Sequence, residues 1–489
     1  MMRLRFLSLI VLALLAGGRV AASREARATA SSLAGARPVT PGLDRPWEDE
    51  IFYALDLAKF FNGDPANDVM ARAYGGERDR LEGGYWGGDL AGVMKKLDYL
   101  CDLGVTTLFL SPVIQNDRVP FGKYLATGFR PMDCFAVDEN LGRMEDLKRL
   151  VAGAHARGLR VILDMPLALP GIQHPLYTAE NVAKGWFGRM SAFGVPSWNP
   201  EVREVADYLI RVSRFWREET KVDGFRVDSA KMLPETFWRR YAREVRGDSS
   251  PRQFFLMAEM VDHPSSIGAM IRETGFNSAY DFSFLVVQNV LGKGGPVGLL
   301  SFVLGGAERN YPNPKTMCAE VDNYGDSFLK ACLEPKPERL KLALALLLTI
   351  NRIPLLYSGD EMGSWCQERE VGGLFQPGHR DPAFLAYVKR LIALRKEQEA
   401  LRRGDFLEAY NVNPLYAFLR IRGRTRILVA LNNSGETARL SFPLQETPWP
   451  KLALYDLLEK RVRKARGSAE PLALPPFGFA VLRVEGAGR

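Results

Sequence analysis

Short apolar runs that end on a polar or acidic residue, and then pass into helical runs, recur along this chain. Ile51 to Asp56, Val105 to Ser111, Leu159 to Asp164, Gly224 to Asp228 and Gln253 to Glu259 have strand character, and the series extends to Leu355-Leu356-Tyr357. Between them, Asp89 to Leu103, Met144 to Arg157, Thr236 to Val245 and Phe384 to Arg395 read as helices; Leu90, Val93, Met94, Leu97 and Leu100 mark the apolar stripe of the first. Strands alternating with helices predict parallel β/α units. Repeated along this length they predict an eight-fold (β/α)8 barrel, whose active site lies at the C-terminal ends of its strands.

Two of these strands carry chemistry at that end. Gly224-Phe225-Arg226-Val227-Asp228 stops on one acid and the next strand stops on Glu259. Neighbouring strands that each end on an acid bring two carboxylates to one rim. Cleaving a glycosidic bond with retention requires one ionised carboxylate as nucleophile and one protonated carboxyl as acid. Arg226 precedes Asp228 by two residues and so faces the same side of the strand, where a cation favours the ionised form. An isolated Arg-x-Asp is better explained as a buried ion pair that holds a loop. Glu259 at the next strand end turns the reading toward catalysis.

Gly-Phe-Arg-x-Asp-x-x-Lys, followed by a strand ending in Glu, resembles the α-amylase family of glycoside hydrolases (family 13). The resemblance covers roughly residues 46–489. It implies a TIM barrel over 46–400 and a short B subdomain at 165–200. A C-terminal β-sandwich would follow over 401–489, where Leu415 to Arg420, Ile427 to Leu431 and Phe479 to Val484 are short β-rich runs. It implies Asp228 as nucleophile, Glu259 as acid/base and Arg226 as the residue that orients the nucleophile. Asn62-Gly63-Asp64-Pro65-Ala66-Asn67-Asp68 is rich in oxygen donors that suit a hard cation, though taken in isolation the run reads first as a solvated turn. It resembles the calcium loop of the neopullulanase and cyclomaltodextrinase branch, with a later Gly87-Gly88-Asp89 turn. On that basis Asn62, Asp64, Asn67, Asp68, Gly87 and Asp89 are expected to hold a structural Ca2+.

Several family positions are altered. The first motif, Asp-x-x-x-Asn-His, is here Asp164 to Leu169, with Ala168 and Leu169 in place of Asn and His. The second ends Lys231-Met232 instead of Lys-His. The fourth, Asn-His-Asp, is here Asn323-Tyr324-Gly325-Asp326. Asp326 is the expected third catalytic carboxylate if the loop is one residue longer, with Asp322 as a second choice. Phe129 stands where a stacking Tyr is expected, and Trp198 in place of a usual Leu in the Val195 to Asn199 stretch. Arg226, Asp164, Lys231, Phe129, Trp198, Asn323 and Tyr324 are therefore expected to line the sugar site. None of the four histidines, His155, His174, His263 and His379, falls on a family position that contacts sugar.

Two functions remain in view from the residues. The first is a retaining α-glycosidase acting on α-linked glucose oligomers, able to transfer to an acceptor sugar in place of water. The second is a non-catalytic amylase-like protein that binds carbohydrate or a protein partner. Arg3 and Arg5, the apolar run Phe6 to Ala16 and Val20-Ala21-Ala22 read as a signal peptide over 1–22. A flexible leader is expected over 23–45, and a secreted or periplasmic location with no transmembrane helix in the mature chain. Net charge is only +8, and removing residues 1–22 takes away three arginines and no acid. That argues against nucleic acid as a partner. The five cysteines show no metal-type spacing.

Overall fold

The computed structural model describes residues 43–69, 85–119, 128–191, 194–249, 253–322, 337–363, 375, 381–441, 453–464 and 471–485. Eight parallel strands form the centre: β1 (Phe52–Leu55), β2 (Thr107–Leu110), β3 (Arg160–Met165), β4 (Gly224–Val227), β5 (Phe255–Ala258), β6 (Ser278–Ala279), β7 (Cys318–Glu320) and β8 (Ile353–Tyr357). Their spatial order is β6-β5-β4-β3-β2-β1-β8-β7, and a parallel bridge from Tyr280 to Cys318 closes the ring. This is the expected barrel.

Side-chain alternation decides what fills it. Phe52 and Ala54 of β1, Phe255 and Met257 of β5, and Ile353, Leu355 and Tyr357 of β8 form one apolar cluster with Ile162 and Phe109. Tyr53, Leu55, Leu256 and Leu356 instead join the core under the helices, as a two-residue period requires. Gly224 is needed on β4: a Cβ there would lie 2.4 Å from the Phe255 carbonyl oxygen. The next inward positions on β3 and β4 are Asp164 and Arg226, so the apolar filling gives way to charge at the C-terminal end.

The C-terminal domain is a six-stranded antiparallel sheet, Asp405–Val412, Leu415–Arg422, Thr425–Asn432, Phe479–Glu485, Ala453–Asp456 and Arg461–Lys464 in spatial order. Ala438–Leu440 paired with Leu472–Leu474 covers it, with Leu428, Leu482 and Leu440 between the layers. Arg420 ties it to the barrel through the carbonyls of Thr349 and Leu401.

Some expectations need correction. The helix expected over Asp89 to Leu103 is two, Leu90–Lys95 and Leu97–Leu103, broken at Lys96. An outlying strand, Pro131–Val137, pairs with Ile114–Asn116 beside the barrel. The last residues of the supposed flexible leader are fixed: Arg45 is buried, and its guanidinium reaches Glu50 and the Thr106 carbonyl. The signal-peptide residues lie outside the described residues. Among the described residues no helix is long and apolar enough to cross a membrane.

Candidate active site

At the C-terminal end of the barrel, β3, β4 and β5 deliver Asp164, Arg226, Asp228 and Glu259 to one place. Arg226 Nη1 donates to Asp164 Oδ1 at 2.8 Å, to Asp164 Oδ2 at 3.0 Å and to Asp228 Oδ1 at 2.6 Å. Its other terminal nitrogen lies 3.8 Å from Glu259 Oε2. The Arg226 ring-facing contact is Tyr280, 5.5 Å from the guanidinium carbon. The side chain of Asp164 is 0% exposed, those of Asp228 and Glu259 17% and 22%. The two residues expected to react are thus the two that reach solvent, while Asp164 is sealed beneath them.

Burial raises Glu259 above the usual carboxyl range, and the Asp228 charge raises it further; Arg226 and the Ser229 amide oppose this. Burial pushes Asp164 up to about 7 against the pull of Arg226. Burial alone would lower Arg226, but the Asp164 and Asp228 charges hold it well above its ordinary value. Desolvation and a like charge thus favour the protonated form of Glu259, the form a general acid needs.

The structure redistributes the other expected site residues. Asp164 and Arg226 were expected to line the sugar site, and Arg226 also to orient Asp228; both are buried, and Arg226 links Asp164 to Asp228. Trp198 is 3% exposed, stacked on Phe187 at 5.0 Å and edge-on to His174 at 5.1 Å. It packs against Tyr208 as well, so almost none of its ring reaches solvent. Lys231 stands at the rim, its side chain 61% exposed and paired with Asp262 at 2.6 Å. Phe129 is half-buried beside Gly128, whose φ is 79°. Asn323, Tyr324 and Asp326 lie outside the described residues. Asp322 is buried just past β7. Asp360, in the turn after β8, is raised by burial first and then by the Asp322 charge.

Residues the sequence reading missed are Ser229, whose hydroxyl donates to Asp228 Oδ2 at 2.9 Å, and Tyr280. The signal for Ser229 was its place directly after the expected nucleophile. Tyr280 follows a two-residue strand too short to show a period. The described histidines are structural: His155 pairs with Asp223 at 2.8 Å, and His263 caps the helix Pro264–Thr274; His379 lies outside the described residues. Burial lowers His174 to about 4.

The loop expected to hold a cation was tested by its hydrogen bonds. Asn62 Oδ1, Asn67 Oδ1 and Asp68 Oδ1 are buried and have no hydrogen-bond partner among the described residues. Three orphaned oxygens in one turn fit a hard cation. Asp89 plays a different part: it accepts from the amides of Gly63, Asp64 and Gly92, so it caps the helix and shapes the turn. Asp64 accepts from the Ala66 amide. A Cβ on Gly87 would lie 2.9 Å from Asn62 Nδ2 and from Asp68 Oδ1, so only glycine lets the turn close. Among the described residues no group of three or more His, Cys, Asp or Glu could hold a metal; the fit rests on two amide oxygens and one carboxylate.

Residues 57–181 match the model of the alpha amylase catalytic domain, and 405–481 that of the maltogenic amylase C-terminal domain. The chain is 28% identical over 431 residues to a cyclomaltodextrinase of a Bacillus species, covering 80% of this chain and 74% of that one. It is 27% identical to neopullulanase 2 of Thermoactinomyces vulgaris, covering 89% and 78%. The crystal structure of an alpha-amylase from Geobacillus thermoleovorans complexed with acarbose superimposes with a TM-score of 0.78 at 27% identity, covering 91% of this chain and 100% of that one.

Proposed function

Given that the chain belongs to the α-amylase family of glycoside hydrolases, we propose that it cleaves α-linked glucose oligomers by double displacement. Asp228 attacks the anomeric carbon, the bond to the leaving oxygen breaks, and that oxygen takes the proton of Glu259. Water then gives a proton to Glu259 while its oxygen displaces Asp228, which leaves as a carboxylate. A sugar hydroxyl in place of water gives transglycosylation.

The observation that carries this reading is the sharing of Arg226. One guanidinium holds Asp228 at 2.6 Å and stands 3.8 Å from Glu259, while burial keeps Glu259 toward its protonated form. The pair therefore comprises an ion-paired carboxylate beside a carboxyl fit to act as an acid. The names of the relatives support cyclic or linear α-glucans as the substrate class. The buried Ala168 and Leu169, where the family motif has amide and imidazole, support a preference other than plain starch. Asn62, Asn67 and Asp68 would hold a structural Ca2+, which would draw three orphaned oxygens onto one centre and stiffen the first β/α connection. The basic, apolar and small-residue order of 1–22 supports export.

The test is turnover of maltooligosaccharides, cyclodextrins and pullulan by the mature protein, with Asp228→Asn as control and the product anomer followed by NMR. Release of the α-anomer, lost in the control, is expected. Release of the β-anomer would sink the double displacement. Binding by calorimetry with no turnover of any substrate would favour the non-catalytic alternative.

A further inference from the structure

Ser229 lies between the two reactive carboxyl groups and touches both. Its backbone sits at φ 50° and ψ 42°, a left-handed conformation that a side chain disfavours and that persists only when the surroundings impose it. Here they do. The Ala230 amide donates to the Glu259 carbonyl at 2.9 Å, and the Glu259 amide to the Val227 carbonyl at 2.9 Å. The turn after β4 is thus stapled to the end of β5 on either side of Ser229. This conformation aims the Ser229 amide at Glu259 Oε2, 2.7 Å away, and leaves the hydroxyl 2.9 Å from Asp228 Oδ2. The other oxygen of Asp228 is taken by Arg226. Among the described residues each oxygen of Asp228 therefore meets one donor, and one of the two is Ser229.

We propose that Ser229 is a positioning residue of the glycosidase reaction, its hydroxyl setting the plane of the Asp228 carboxylate while its amide sets Glu259. The proposal rests on the double-displacement reading above. A glycine would adopt this turn without strain, yet it would leave Asp228 pivoting on a single contact to Arg226. A hydroxyl bonded to a carboxylate is a charge-assisted contact, stronger than a neutral one. Misplacing a reacting atom by about 1 Å costs on the order of 100-fold in rate.

The experiment compares Ser229→Ala and Ser229→Gly with the wild-type full chain, using a nitrophenyl α-maltoside as probe, together with a crystal structure of Ser229→Ala. Alanine keeps the left-handed strain and removes only the hydroxyl; glycine removes both. The expected result is a fall in kcat of about 10-fold or more in both variants, KM within about 2-fold, and an Asp228 carboxylate rotated away in the crystal. Wild-type kcat in Ser229→Ala overturns the proposal. So does recovery in Ser229→Gly alone, which would assign the effect to the backbone, or a rise in KM at constant kcat, which would mean a sugar contact. If the wild type does not turn over the probe, the glycosidase reading fails for that substrate. The crystal structure then decides the positioning role alone: an unmoved Asp228 overturns it and a rotated one upholds it.

Discussion

The barrel carries a buried arginine–carboxylate network at each end, and the two are built for opposite purposes. At the N-terminal end Glu50 is fully buried and every contact closes on it. Oε1 meets Arg45 Nε and Arg160 Nη1, both at 2.8 Å. Oε2 accepts from Arg45 Nη2 at 3.0 Å, Thr106 at 2.6 Å and Thr107 at 2.7 Å. The Arg160 guanidinium stacks 4.0 Å over Trp47, which packs against Phe255 inside the barrel. At the C-terminal end one arginine, Arg226, pairs with three acids, Asp164, Asp228 and Glu259, and the last two keep a face to solvent. The difference is saturation. A carboxylate with all its lone pairs taken holds strands together, whereas one left accessible can meet a substrate.

The largest effect expected is on rate at the open end. Asp228→Asn should lower kcat by on the order of 10⁴-fold or more while the melting temperature stays close to wild type, read by turnover and calorimetry on one preparation. A comparable loss of folding stability would make Asp228 a structural ion pair and erase the contrast. At the closed end, Glu50→Gln should cost about 3–5 kcal/mol by leaving Arg45 and Arg160 without their anion, seen as a lower denaturant midpoint. Its kcat per folded molecule should be unchanged; a folded but inactive Glu50→Gln would break the distinction.

Asp164→Asn tests the boundary between the two designs, since Asp164 is sealed like Glu50 yet holds Arg226. It should lower stability by about 1–3 kcal/mol and kcat by about 10- to 100-fold with little change in KM. A smaller effect concerns the loop proposed to hold a cation. Chelation should lower the melting temperature by a few degrees through loss of a ligand bound only to the folded state, and Asp68→Ala should abolish that response. No response in the wild type would remove the cation from Asn62, Asn67 and Asp68. Finally, the alkaline limb of kcat/KM should lie above the ordinary carboxyl range, because burial and the Asp228 charge both raise Glu259 and its proton is needed for the leaving group. A limb within that range would mean that another group supplies the proton.

Much of the open end was legible before any fold. Asp228 and Glu259 terminate recognisable strands, and the two-residue period put Arg226 on the same face as Asp228. The role of Asp164 was not legible, because its depth depends on how far β3 rises against β4: Asp164 pairs in register with Arg226. Trp198 was placed at the sugar by its motif position, but Phe187, His174 and Tyr208 enclose it. Arg45 looked like part of a low-complexity leader, since nothing local shows that Glu50 and the Thr106 carbonyl wait for it.

What the residues determined alone is the alternation of strand and helix, and with it six of the eight parallel strands and the rim to which two carboxyl groups are brought. These follow from local periodicity and from the fact that a parallel strand exposes its C-terminal end on one side of the sheet. What only the tertiary structure decided is which carboxyl group is sealed and which is open, and that Ser229 stands between the pair. Burial and hydrogen-bond saturation depend on segments far apart in the chain. Asp164 and Arg226 are 62 residues apart and Ser229 and Glu259 30, so their distances exist only once the barrel has closed.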